Sequence, residues 1–432
     1  MRSIKPLTTA LTGKGPATLF KRVWTIGKRY GLTVVRMERS LAQLSQILRQ
    51  FDCRATLAVT AVALPRNSAV IQECQAQGIE FAVHGYRHID YTQLSLEEQC
   101  AHLRKAAQVF RDLGIHFDGF RCPYLRWNDG ILAALDQAGF AYDGSASLVW
   151  NVAGAHVTES YERVLHFYGA QPAADYMALP ALNTAKNLVR IPYCLPDDES
   201  LVERLGWDSP AEMDQVWPAM FRQIHDQGEL FTLGLHPERI EDCSSALMAT
   251  LQEVRAVAPT VWCARLNEIA AWWKARYAAA VDVTDIQEDL LQLTVHGPEG
   301  TTLLLRSLEA NTATEPCFDD YQRATEMPCV VRVHQRPFIG VSPGVAPALT
   351  CFLKQQGYLV ETALNPGLYT VYLDGETFSR QEERNLIRQI EEARFPLVRL
   401  GRWPNGAHSA LAITGDIDAL TLWDYGLRFL GR

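Results

Sequence analysis

The sequence predicts an α/β protein built on a parallel sheet, and two patterns carry that expectation. From about Ser40 to Arg276, short apolar runs alternate with amphipathic stretches, as β/α units around a parallel sheet do. After Ala278 the residues become β-branched and alternating up to about Val333, and α/β character returns from Pro343. At 432 residues the chain exceeds one average domain, so two or three units are expected.

The elements can be justified in order. A helix is expected around Ala17–Arg29. A second is expected from Ser40, whose capping box with Gln43 precedes Leu41, Leu44, Leu48 and Phe51 on one face. Ala55–Thr60, Ile79–Val83 and Phe117–Arg121 read as strands. Ser95 with Glu98 caps a further helix, and the helix over Gly130–Ala138 stops at Gly139. Later strands are expected near Leu188–Ile191, Glu229–Leu235 and Val261–Arg265, and Leu266–Tyr277 closes the unit as a helix. Leu291–Val295, Thr301–Arg306 and Cys329–Val333 form a β-rich stretch. Beyond it, Pro347 suits the first helical position and Gly357 ends that helix. Tyr358–Thr362, Leu368–Leu373, Pro396–Arg399 and Ser409–Thr414 read as strands, with a helix from Ser379 to about Ala393.

Composition narrows the function classes. Hydrophobic residues make up 48% and charged residues 21%, which suits an ordinary core. A net charge of -8 argues against nucleic acid as the main partner. The segment Met1–Ala10 has no apolar core of a signal peptide, and the longest uncharged apolar stretch, Ala55–Pro65, is too short for membrane insertion. The ten cysteines show no clustered spacing and are expected as reduced thiols, so a cytoplasmic protein is predicted.

Chemistry-bearing residues stand just past apolar runs. His84-Gly-Tyr-Arg-His88 follows Ile79–Val83; two imidazoles four residues apart can close on one cation if the loop turns helical there. Such pairs are as often ordinary surface or core histidines. Arg121-Cys-Pro-Tyr124 follows Phe117–Phe120; it suits a strand-end carboxylate clamp or a plain surface turn. Asp143, past Phe140, can orient a neighbouring imidazole. His236, between Leu235 and Pro237, can be a general acid or a structural hydrogen-bonder. Asp416 and Asp418 alternate off the end of Ser409–Thr414. There they can divide labour between a metal and a substrate, or simply belong to a loop.

Taken together, His84-x3-His88, Arg121-x-Pro123-Tyr124, Asp143 and Leu235-His236-Pro237 resemble, in order, the second to fifth motifs of the polysaccharide deacetylase family (NodB-homology, carbohydrate esterase family four). The likeness covers roughly Arg39–Arg276. Thr-Gly-Asp416-Ile-Asp418 resembles that family's first motif, yet it stands far downstream of His84 instead of ahead of it. Leu125-Arg126 stands where the family usually has glycine, which bears on the shape of the substrate groove.

The resemblance implies a distorted (β/α)7-type barrel, circularly permuted, with an inserted β-rich module and a small α/β segment. With the change in composition after Ala278, the chain is expected to divide into a barrel lacking its first strand (1–280), a β-rich accessory module (281–340) and an α/β segment (341–407). A strand and helix (408–432, the helix Thr421–Gly431) would complete the barrel of this chain or, in a swapped homodimer, of a neighbour. Carried over position by position, Asp418, His84 and His88 would bind a divalent metal, zinc first, with cobalt, manganese or nickel as alternatives. Asp416 would be the general base and His236 the general acid. Arg121 would hold Asp416, Asp143 would tune His236, and the Tyr124 amide would stabilise the oxyanion. Three functions follow: a deacetylase of N-acetylated carbohydrates, a hydrolase of small linear or cyclic amides, or a metal-free glycan-binding pseudoenzyme. The β-rich module would shape the groove or bind glycan, with His296 and His334 as structural or surface residues.

Overall fold

The computed structural model describes residues 27, 29–207, 210–257 and 261–426. Most of the helix expected around Ala17–Arg29 lies outside them, as does the end of Thr421–Gly431, of which the helix Leu422–Gly426 is described. Among the described residues no helix is long and apolar enough to cross a membrane.

The central element is a curled sheet of 12 strands. Along the chain come β1 (Ala55–Val59), β2 (Glu80–Val83), β3 (Gly119–Phe120), β4 (Tyr142–Asp143), β5 (Ser147–Val149) and β6 (Gln171–Pro172). They are followed by β7 (Ala181–Asn183), β8 (Leu188–Arg190), β9 (Tyr193–Leu195), β10 (Leu230–Leu235) and β11 (Val261–Cys263). The C-terminal strand, Ser409–Ile417, is the twelfth. It lies between β10 and β1, parallel to both, and β11 also pairs with its start. From there the sheet continues β1-β2-β3-β4-β8-β7 on one side and β10-β9-β5-β6 on the other. Pairing is parallel throughout except between β7 and β8. The last strand thus completes the sheet of its own chain.

Partner strands flank both edges of Ser409–Ile417, and every residue of it is buried, on both faces. This explains the unbroken run Ala-Leu-Ala-Ile in place of an apolar–polar alternation. Gly415 is required by close approach: a Cβ there would lie 2.0 Å from the Leu235 carbonyl oxygen, a backbone atom that cannot swing away. Gly415→Ala is therefore expected to destabilise the fold by about 1–3 kcal/mol or more, read as a lowered urea midpoint.

Amphipathic helices pack on the sheet with their apolar stripes inward. The first runs over Val35–Gln50 and buries Leu41, Leu44 and Leu48 as expected. Ser40, however, is buried inside that helix and does not cap it. The capping box at Ser95 and Glu98 is formed, and Leu266–Tyr277 is helical as expected.

The inserted region differs from the expected division at 340. Two antiparallel sheets occupy Ala280–Arg332, but the second recruits Leu397–Leu400, which pairs with Leu303–Arg306. Arg336–Val341, assigned to the β-rich module by sequence, is the middle strand of a parallel sheet with Val360–Thr362 and Tyr369–Leu373. Leu293, Leu303, Phe338 and Val398 share one hydrophobic core. The two accessory segments are one interlocked unit. It docks on the barrel through the helix Leu266–Tyr277: Trp272 Nε1 donates to the Arg402 carbonyl at 2.8 Å, and Trp273 Nε1 to Gln355 Oε1 at 3.2 Å. His296 faces Asp282 at 2.8 Å on an exposed strand pair, and His334 is exposed.

Candidate active site

The chemistry-bearing residues converge at the C-terminal ends of the barrel strands, where barrels hold their sites. His84 follows β2 directly, its amide bonded to the Val59 carbonyl of β1 at 2.9 Å. The loop to His88 is a series of bends and does not turn helical; the Tyr91 hydroxyl accepts the Tyr86 amide there at 2.8 Å. The two rings nevertheless meet, with centroids 5.2 Å apart.

Asp416 and Asp418 come from the last strand, two residues apart and therefore on one side of it. His88 Nε2 lies 3.1 Å from Asp418 Oδ1, and His84 Nε2 lies 3.5 Å from the same oxygen. His84, His88 and Asp418 each offer a ligand atom within 4.8 Å of the others. Thr60 Oγ1 donates to the Asp418 carbonyl at 3.0 Å, fixing the turn after the strand.

The donor set fits a divalent cation. His84 Nδ1 faces the Arg121 carbonyl at 3.0 Å, so that nitrogen carries the hydrogen and Nε2 keeps its lone pair towards Asp418. Two imidazoles and one carboxylate leave coordination positions open, as catalytic sites require.

Asp416 is held separately. Arg121 is buried and donates from Nη1 to Asp416 Oδ1 at 2.8 Å, from Nη2 to Thr414 Oγ1 at 2.7 Å and from Nε to the Gly144 carbonyl at 3.1 Å. The strand-end clamp, and not the surface turn, is the environment of this arginine. Burial pushes the Asp416 carboxyl up, but His84, Arg121 and His236 outweigh it and hold the group below the usual carboxylate range.

His236 ends β10, and its partner was not the one expected. Its Nδ1 faces Asp198 Oδ1 at 2.9 Å, and its backbone amide donates to Asp198 Oδ2 at 3.0 Å. Burial alone would lower the imidazole pKa; the Asp198 carboxylate reverses this and raises it well above the usual value. Asp143 does not take that role. Fully buried in β4, it accepts from Ser145 and lies 3.5 Å from Arg190 Nε, and Ser145 Oγ in turn takes the Cys122 amide at 2.8 Å. It braces the turn after Arg121.

The signal for Asp198 was present in the sequence. Asp197 and Asp198 follow the short strand Tyr193–Leu195 as His84 and His236 follow theirs, but the sequence reading places a strand only at Leu188–Ile191. Asp197 is structural: it takes the Tyr193 hydroxyl at 3.0 Å and the Ser200 amide at 2.9 Å.

Tyr124 lies in the short turn Pro123–Leu125 with φ of +61°, followed by Leu125 at +55°. Its ring stands edge-on to His88 at 4.4 Å and near Phe167 at 5.8 Å. Arg126 extends this wall, its guanidinium 4.7 Å from the Phe167 ring centre and 2.9 Å from Asp90.

Residues 28–142 match the family model for polysaccharide deacetylase. Over 71 residues the chain is 39% identical to a peptidoglycan deacetylase-like protein of Gibberella zeae, a match covering 16% of this chain. The chain spans about a fifth of that relative's length, 21%. Among solved structures, a probable polysaccharide deacetylase from Pseudomonas aeruginosa PAO1 is similar at 21% identity and a TM-score of 0.45, over 59% of this chain and 76% of that one. PuuE allantoinase is similar at 21% identity and a TM-score of 0.45, over 61% and 78%. Over residues 28–142, about a quarter of its length, the chain is thus similar to the polysaccharide deacetylase family.

Proposed function

We propose that this chain is a metal-dependent hydrolase that removes acetyl groups from N-acetylated sugars, on a barrel permuted so that its first strand comes last. The observation that carries the reading is the meeting of Asp416 and Asp418 with His84 and His88 across more than 300 residues of sequence. A structural ion pair would need one acid and one base. Here one carboxylate faces two imidazoles and the other is held apart on Arg121.

His84, His88 and Asp418 would hold the metal, zinc being the best match to the donors. When bound, the cation would supply Lewis acidity and lower the pKa of a water towards about 7. Asp416, kept ionised by Arg121, takes a proton from the attacking water. His236, kept protonated by Asp198, gives a proton to the departing sugar amine. The Tyr124 amide, in a left-handed turn beside His88, is assigned to stabilise the acyl oxygen. Arg121 touches no reacting atom; it sets where Asp416 points.

The test is a substrate screen. Acetate release from N-acetylglucosamine oligomers is expected, with small linear and cyclic amides turned over at least about 100-fold less well, since they lack the sugar contacts whose binding energy drives the reacting end. Equal or better turnover of a small amide would assign the site to that chemistry.

A further inference from the structure

At the other end of the barrel, a cavity of about 600 Å³ lies between the strand starts and the inserted unit. Gly228 and Glu229, just before β10, and His408, just before the C-terminal strand, form its barrel side. Tyr321, Arg399 and Arg402 are among the residues on the inserted side. Asp416 stands seven residue steps along the strand from His408's neighbour Ser409, so the cavity is roughly 23 Å from the proposed active site.

Its buried charges do not balance. Arg402 is 8% exposed and hydrogen-bonds only neutral oxygens: Gln356 Oε1 at 3.0 Å and the carbonyls of Gln227 and Gly228 at 3.4 and 3.5 Å. Glu391 is already taken by Arg306 and Arg399, each at 2.6 Å, and Glu229 by Arg384 at 3.0 Å. Behind the wall, Arg276 is also buried and donates only to the Gln355 carbonyl. A buried guanidinium without an anion is costly. The acids at the mouth, Asp175, Asp226, Asp319 and Glu392, are exposed and screened by solvent, as is Arg388 beside them. His408 Nδ1 is buried with no hydrogen-bond partner, and Phe318, 4.6 Å from the His408 ring, adds an aromatic face.

We propose that this cavity binds a small organic oxyanion, a ring-sized molecule carrying one phosphate or carboxylate group. The anion sits on Arg402, with the neutral His408 ring beside it, and the ligand's ring lies against Phe318. The ligand supplies the counter-charge that the wall lacks and ties the inserted unit to the barrel.

The test is calorimetric titration of the full-length protein with glucose 6-phosphate, glucuronate, inorganic phosphate and neutral glucose. At least one sugar anion should bind one-to-one, more tightly than inorganic phosphate, with no binding of glucose. Which anion binds better tells phosphate from carboxylate recognition. Arg402→Met and His408→Asn should each weaken binding roughly tenfold or more, the size of a charge-assisted hydrogen bond, while Asp418→Ala should leave it unchanged. Should Arg402→Met fail to fold, His408→Asn at the half-buried wall carries the test. Failure of both sugar anions to bind, equal binding of glucose, full affinity in the folded variants, or loss in Asp418→Ala would each overturn the proposal.

Discussion

Asp418→Ala, His84→Ala and His88→Ala are each expected to lose bound metal and acetate release together, while Asp416→Asn keeps the metal and loses turnover. The difference follows from geometry. Asp418 Oδ1 faces both imidazole nitrogens at 3.1 and 3.5 Å, whereas Asp416 puts Oδ1 on Arg121 at 2.8 Å and its other oxygen no closer than 3.8 Å to His84. Removing a residue that merely orients a ligand costs roughly 10–100-fold in metal affinity, so deleting a ligand should exceed that. Asp416→Asn keeps the shape but cannot take a proton, a loss of roughly 10²–10⁴-fold in kcat. Elemental analysis beside initial rates separates the two classes. An Asp416→Asn protein that is metal-free, or fully active, would mean that the two acids have been given each other's roles.

The second large effect is expected at Asp198. Its carboxylate holds His236 protonated well above the usual imidazole range, so the basic limb of kcat/KM should lie above neutrality. Asp198→Asn removes the anion, and the limb should move to lower pH by at least about one unit, equivalent to about 1.4 kcal/mol. Turnover should fall as well, because the ring loses the contact that fixes Nδ1. Asp143→Asn should leave the limb in place, since Asp143 touches Ser145 and Arg190 and not His236. Stability follows the same sign. A histidine whose pKa is raised by folding stabilises fully below its unfolded value, about 6.5, and that contribution fades as pH rises through the folded value. Asp198→Asn should therefore narrow the gap in urea midpoint between pH 6 and pH 9. A basic limb that stays put in Asp198→Asn and moves in Asp143→Asn would restore the assignment made from sequence.

The residues that were legible in the sequence are those at the ends of long apolar runs. His84 after Ile79–Val83, His236 after Glu229–Leu235 and Asp416 after Ser409–Thr414 all sit where a buried strand stops, and burial makes such runs stand out. Two-residue strands such as β3 and β4 leave little periodicity to read, which is why Asp143 could be located but not given its partner. Asp198 escapes the sequence reading because β9 is only three residues long and follows Pro192 directly, so Leu188–Ile191 reads as the strand there and nothing points to the acid pair behind Tyr193–Leu195. The interlocking of the inserted segments was out of reach for a different reason. Pairing of Leu303–Arg306 with Leu397–Leu400 joins residues more than 90 apart, and register between distant strands is decided by packing that local patterns do not encode.

The most direct test of the metal centre is anomalous diffraction at the zinc absorption edge from crystals of the full chain grown with zinc. A single strong peak is expected at this site, with His84 Nε2, His88 Nε2 and one Asp418 carboxylate oxygen all at about 2.0–2.2 Å. A peak bound by other residues, or one that leaves the Asp418 carboxylate uncoordinated, would contradict it.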